Sequence, residues 1–210
     1  MDSFMEYDIK SAEKYHSWYE AGDGREIGAG QREVLKRALG EPGMRRLLEV
    51  GCGTGYFTGW LHRQGFNVTG IDNSAAMIDF ARKKYGNGFE FRVGDAVNLP
   101  FTDDYFDVLV FATSFEFISD AVSAACEAER VARSEIILLL LNPDDPMNIK
   151  RKERDEFGGG VFRDASLRRP NEVKALFEEA GLHCWSGSCI AEPDGNSYYI
   201  MRIIRNQKVE

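Results

Sequence analysis

The sequence predicts an α/β protein built on a doubly wound, mostly parallel sheet. Three observations carry that prediction. Strand-length apolar runs alternate with helix-period segments almost without pause, which is the order of successive βα units. The first run, Leu47-Leu48-Glu49-Val50, breaks at once into Gly51-Cys52-Gly53-Thr54-Gly55, the grammar of a buried strand turning sharply into a helix. The next two strands also end beside an acid, Asp72 and Asp95.

The elements follow in order. Residues 32–39 put Val34, Leu35, Ala38 and Leu39 on one helical face, with Gly40 and Pro42 as stop signals. Strand one is predicted at 46–50, a helix at 55–64 closed by Gly65, and strand two at 67–71, ending at Asp72. Ser74 can cap the next helix, whose Met77, Ile78, Ala81 and Tyr85 recur at helical spacing. Strand three is predicted at 89–93 and strand four at 106–112. Asp120 can cap a helix with Ala121, Ala124, Ala128 and Val131 on one side, and strand five is predicted at 135–141. Pro170 opens a helix carrying Val173, Leu176, Phe177 and Ala180, which Gly181 stops. Residues 182–190 and 198–204 are predicted as two strands joined by a turn at Asp194-Gly195. Five βα units and a terminal hairpin make one domain over 1–210, with helices on both faces of the sheet. Outside this framework stand an N-terminal arm, 1–30, and a long connection, 142–169, both expected to cover the site.

Composition narrows the function. The chain has 210 residues, 43% hydrophobic and 29% charged, which suits one globular domain with an ordinary core. No apolar run approaches the roughly 18 residues of a membrane span. The first residues lack the basic-then-apolar order of a secretory signal, so a cytoplasmic protein without a membrane partner is expected. A formal net charge of -8 argues against broad nucleic-acid binding, which leans on phosphate neutralisation. Four cysteines are too few for a disulfide scaffold, and Cys184 and Cys189 match neither a redox pair nor a zinc knuckle. The histidines are scattered, so no metal is expected.

Glycines belong at such a turn because a ligand presses against the backbone where a Cβ would clash. The turn therefore predicts a nucleoside-cofactor cradle at the carboxyl end of strand one. A dinucleotide fingerprint would put its third glycine at Tyr56. Glu49 would repel a pyrophosphate but attract an ammonium group. Asp72 can accept both hydroxyls of a ribose, and Asp95 can accept a hydrogen bond from an adenine amino group. A ligand with a cation, a ribose and an adenine but no phosphate is S-adenosylmethionine, with S-adenosylhomocysteine as product.

At these residues the chain resembles the class I S-adenosylmethionine-dependent methyltransferases, closest to the small-molecule group labelled type 11. The matching blocks are Glu49-Val50-Gly51-Cys52-Gly53-Thr54-Gly55, then Gly70-Ile71-Asp72-Asn73-Ser74 with Met77, then Gly94-Asp95-Ala96, Leu99-Pro100-Phe101 and Phe106-Asp107-Val108. The resemblance implies a seven-stranded, Rossmann-like methyltransferase sheet with an antiparallel last strand. It implies that Glu49, Gly51 and Gly53 hold the methionine end, Asp72 the ribose, and Asp95 with Ala96 the adenine. Cys52, Thr54, Gly55, Asn73 and Met77 complete the cofactor set. Thr113 or Ser114 would sit near the methionine moiety and the incoming acceptor. The chain departs from the family where Arg133-Ser134 replaces the usual Pro-Gly-Gly turn before strand five.

Methyl transfer from a sulfonium needs mainly alignment of the acceptor and exclusion of water. A general base is needed only where the acceptor carries a proton, so the pattern names no catalytic residue. A small-molecule acceptor is expected, facing Tyr15, Trp18 and Tyr19 on an N-terminal helix, Phe115 and Glu116 after strand four, and Phe162 with Phe157 in the long connection. Glu116 reads as a solvated or ion-paired carboxylate, with a base as the alternative. The run 150–154 reads as a solvated helical face rather than an anion site. Asp107, His62 and His183 read as structural, and His16 as structural or acid-base. The Asn/Asp-Pro-Pro-Tyr/Phe signature of amide methylases is absent at Ala112-Thr113-Ser114-Phe115. Two rivals stand beside this reading. One is an NAD-dependent oxidoreductase, opposed by Tyr56 and Glu49. The other is a cofactor-binding module without catalysis.

Overall fold

A computed structural model describes residues 9–158, 160–181, 185–188 and 197–205 of the chain. Its strands are β1 (Arg46–Val50), β2 (Asn67–Asp72), β3 (Glu90–Val93), β4 (Phe106–Ala112), β5 (Ala132–Leu141), β6 (Trp185–Ser188) and β7 (Tyr198–Arg205). They form one sheet in the order β3-β2-β1-β4-β5-β7-β6. The first five run parallel, and β7 lies antiparallel to both β5 and β6. The order reverses beside β1, because the chain leaves it for β2 and returns to its other edge as β4. Such a switch point opens a crevice at the carboxyl ends of the strands.

Alternation along the strands divides the apolar residues between two faces. Leu48, Leu109, Ile136 and Leu138 pack with α5 (Ala121–Val131) and α7 (Pro170–Glu179). Leu47, Val108, Ile137 and Leu139 pack with α2 (Gly22–Leu39) and α3 (Tyr56–Arg63). The predicted caps form: Ser74 accepts from Met77 N at the start of α4 (Ala75–Tyr85), and Asp120 accepts from Ser123 N at α5. Among the described residues no helix is long and apolar enough to cross a membrane. His183, Cys184, Cys189 and the turn at Asp194-Gly195 lie outside the described residues, as does the side chain of Phe157.

Three expectations are corrected. The arm is not separate over its whole length, since α1 (Ile9–Glu20) is followed directly by α2, which starts at Gly22 and runs unbroken through the predicted 32–39 helix. Glycine depresses helix propensity, but a Cβ at Gly28 would stand 2.5 Å from the Tyr56 hydroxyl oxygen, so close packing requires glycine there. The connection 142–169 is also structured, holding α6 (Pro146–Gly158) and a 3-10 turn, Val161–Asp164. Asp145 Oδ1 caps α6 by accepting from Met147 N and Asn148 N at 2.8 and 3.1 Å. Lastly, Arg133-Ser134 makes no turn. Strand β5 starts at Ala132, and Asp107 takes up both residues: its carboxylate pairs with Arg133 and its carbonyl accepts from Ser134 Oγ.

Candidate functional site

The loop after β1 is shaped by its neighbours. Gly51 N and Cys52 N both donate to Ile71 O, at 2.8 and 3.0 Å, so the end of β2 turns the chain. Gly53 N then donates to Asp72 Oδ2 at 2.8 Å, and Ser74 N to Asp72 Oδ1 at 2.9 Å. Gly51 has φ 71°, and a Cβ there would lie 2.5 Å from Ser114 Cβ. No L side chain suits both constraints. Ser114 is buried and donates from Oγ to Val50 O at 2.6 Å. The ends of β1, β2 and β4 are thus laced together around a glycine turn.

Three carboxylates stand at or just past the ends of β1, β2 and β3, and Asp72 is the one bonded to the turn. Glu49, 1% exposed, accepts a short hydrogen bond from the Thr58 hydroxyl. Burial pushes its carboxyl up to about 8. Asp72 is raised by burial too, against the opposing pull of the Ser74 and Gly53 N–H groups. Asp95 is exposed, and its Oδ1 accepts from Val97 N at 3.2 Å. None of the three has a lysine or arginine within ion-pair distance among the described residues. The acids beside the loop thus lack counter-ions among the described residues, and Glu49 can give up its proton to a cation, a setting unsuited to a diphosphate. Burial, and next the carboxylates of Glu49 and Asp72, push the Cys52 thiol well up, so it stays protonated. Asn73 is exposed, Ala96 is partly buried against the core, and Met77 is buried in the first turn of α4.

Helix α1 lies over the loop. His16 Nδ1 is 2.9 Å from Thr54 Oγ1, and His16 Nε2 is 3.4 Å from Glu20 Oε1. Burial, then the nearby Lys84 charge, lowers the pKa of His16 and keeps it neutral. A Cβ on Gly53 would meet only Tyr15 Cε1, at 3.6 Å, so that ring covers the loop. Tyr19 stacks on Tyr56 at 4.1 Å between centroids, and its hydroxyl is bonded by Tyr15 and Thr113. Thr113, at the end of β4, has φ 53°, a costly conformation for a β-branched residue. Its N–H donates to Leu139 O at 2.9 Å.

Three expectations change. Phe115 faces the core, packed on Phe111 and Phe177, because the 3-10 turn Phe115–Phe117 rolls it inward. Glu116 is neither solvated nor ion-paired: it is 1% exposed, and its Oε1 accepts from Leu141 N at 2.5 Å. Its Oε2 has no partner, and burial pushes the carboxyl up to about 7. The run 150–154 is not one solvated face, since Lys152 reaches Ala165 O at 3.1 Å and Arg151 turns inward. Phe162 stands edge-on to Phe117 at 5.7 Å, and the Arg151 guanidinium lies over its ring. Trp18 packs on the same guanidinium, with Arg151 Cζ 5.2 Å from its ring centre. No sequence pattern marked Thr58, and the basic run 150–154 read as a solvated face rather than an anion site, because the contacts of both Thr58 and Arg151 cross the fold.

Residues 48–140 match the family described as "Methyltransferase domain". The chain is 31% identical over 179 residues to a biotin biosynthesis bifunctional protein of Cellvibrio japonicus, covering 83% of this chain and 34% of that protein. It is 33% identical over 123 residues to a malonyl-[acyl-carrier protein] O-methyltransferase of Serratia marcescens, covering 57% and 48%. The chain thus spans less than half the length of these two curated relatives. In fold it is similar to a Thermotoga maritima protein described as a possible histamine N-methyltransferase. That pair has a TM-score of 0.70 at 20% identity, over 94% of this chain and 98% of that one. It is also similar to the magnesium protoporphyrin IX methyltransferase of Synechocystis with S-adenosylhomocysteine bound, at TM-score 0.69 and 19% identity, over 92% and 94%.

Proposed function

We propose that the chain, whose residues 48–140 match a methyltransferase domain, is a class I, S-adenosylmethionine-dependent methyltransferase of the type 11 group that transfers a methyl group to a small-molecule acceptor. The observation that carries the cofactor half is this set of acids. Glu49, Asp72 and Asp95 stand at the ends of three neighbouring strands, Asp72 bonded to the glycine turn, with no cationic partner among the described residues, and their oxygens keep acceptor capacity for a ligand. S-adenosylmethionine, when bound, supplies the sulfonium methyl. On this reading Gly51, Cys52, Gly53, Thr54 and Gly55 let the backbone approach the cofactor, with Asn73 and Met77 flanking it. Asp72 receives the ribose hydroxyls, and Asp95 with Ala96 the adenine.

The chain's own residues do the rest by position. Thr113 and Ser114 hold the end of β4, where an acceptor must approach in line with the methyl. Tyr15, Trp18 and Tyr19 exclude water from above. Glu116 takes a proton where the acceptor has one to lose, since its Oε2 is free and its carboxyl titrates near neutrality. All 210 residues act as one domain, with α1 and residues 142–169 as its cover.

The small-molecule half is supported by the acceptors named in the relatives, which include demethylmenaquinone in Thermotoga maritima. Calorimetric titration with S-adenosylhomocysteine, beside NADH, tests the cofactor. Micromolar or tighter binding of the first and none of the second is expected. Release of S-adenosylhomocysteine with at least one member of a quinone, acid and amine panel tests turnover. Binding without any turnover favours the non-catalytic module.

A further inference from the structure

We propose that Arg151 is an anion-binding residue of the acceptor pocket, so that the methyl acceptor carries a carboxylate or a phosphate. The inference rests on the methyl-transfer reading and narrows its substrate class. Arg151 Cζ lies 5.2 Å from the centre of the Trp18 ring and 5.6 Å from that of Phe162. The two rings come from α1 and from the 3-10 turn after α6, the two segments that cover the site. Against them the guanidinium is half-buried, and no carboxylate stands within ion-pair distance among the described residues.

Its neighbours differ. Arg154 pairs with Asp155 at 2.7 Å and Arg169 with Asp144 at 2.6 Å. The acids nearest Arg151 are already engaged. Asp155 also accepts from Phe162 N, and Asp145 accepts from Met147 N, Asn148 N and Ser197 Oγ. Both rings pack on the guanidinium, whose rigid fork of N–H donors has no hydrogen-bond partner among the described residues and fits a carboxylate or phosphate. Burial without a counter-ion destabilises the cation, and an anionic ligand would relieve that cost. The placement suits an acceptor. Trp18, which packs on the guanidinium, also packs on Tyr19 at 4.8 Å between ring centroids, and the Tyr19 hydroxyl meets Thr113 at the end of β4. A simple strut between α1 and α6 would need only the ring contacts and no unpartnered donors.

The test uses the full chain saturated with S-adenosylhomocysteine, titrated with benzoate, phenyl phosphate and benzyl alcohol. At least one anion should bind about tenfold tighter than the alcohol, and which one does identifies the group. Arg151→Gln should lose that preference while its S-adenosylhomocysteine affinity stays within about twofold and its melting temperature is retained. Arg151→Lys should keep part of the preference. Equal binding of the neutral probe, no binding of any probe, or an unchanged preference in Arg151→Gln overturns the proposal. So does a loss of S-adenosylhomocysteine affinity in Arg151→Gln that matches the loss of anion binding, since that is how a strut behaves. If the wild type does not bind S-adenosylhomocysteine at all, the methyl-transfer reading itself falls.

Discussion

Gly53 N donates to Asp72 Oδ2 over 2.8 Å, so the residue ending β2 holds the turn that follows β1. The same carboxylate accepts from Ser74 N through its other oxygen. Asp72 therefore shapes the cradle and offers its remaining lone pairs to whatever the cradle holds.

Asp72→Ala removes both roles. S-adenosylhomocysteine affinity should fall at least about tenfold, since a charged hydrogen bond contributes about 1.5–3 kcal/mol. Isothermal calorimetry measures it. An affinity within about twofold of wild type would remove Asp72 from the site.

Glu49 should make binding pH-dependent. Burial holds its carboxyl at about 8 in the folded chain, so at pH 7 it is mostly protonated. A cationic ligand nearby favours the carboxylate, and a proton should leave on binding. Calorimetry in buffers of different ionisation enthalpy should detect that proton, and Glu49→Gln should abolish it. Identical heats after buffer correction, with no proton released, would separate Glu49 from the ligand's charge.

The same group affects stability. A folded value above the unfolded one, near 4.5, gives a contribution complete below that value and lost as pH rises through about 8. Glu116, at about 7, acts in the same direction. Melting temperature should therefore decline between about pH 5 and 8, and Glu49→Gln should flatten the decline. A profile that rises over that window would contradict the burial of both carboxylates.

Tyr15→Ala uncovers Gly53 and removes one partner of the buried Tyr19 hydroxyl. Ring contacts of this kind are worth about 0.5–1.5 kcal/mol, so S-adenosylhomocysteine should bind roughly two- to tenfold more weakly. Stopped-flow dissociation should show a faster off-rate. Unchanged release would mean that α1 does not close over the ligand.

Gly51→Ala should destabilise by about 2–4 kcal/mol, from a left-handed φ combined with overpacking against Ser114. Adding Ser114→Gly should recover only the steric share. Urea denaturation separates the two. Full recovery in the double variant would show that φ costs nothing here.

Local pattern carried much of this. Alternating apolar runs located each of the parallel strands within a few residues, and caps at Ser74 and Asp120 needed only a side chain and its own helix. The glycine turn and the acids at 49, 72 and 95 were legible because strand ends converge in any doubly wound sheet. The first half of α2 was not, because Gly22, Gly24, Gly28 and Gly30 weaken the helical signal, and Gly28 and Gly30 are set by packing against the distant Tyr56 and Tyr198.

What the chain determined unaided was its order of elements and the chemistry offered at the strand ends, since both depend on neighbours within a turn or two. Folding alone decided that Phe115 enters the core, that Glu116 is buried with one oxygen unpaired, and that Arg151 packs on two rings without an acid. The physical reason is range. Leu141, 25 positions away, holds Glu116, and Trp18 reaches Arg151 from the other end of the molecule. No periodicity registers a partner that far along the chain.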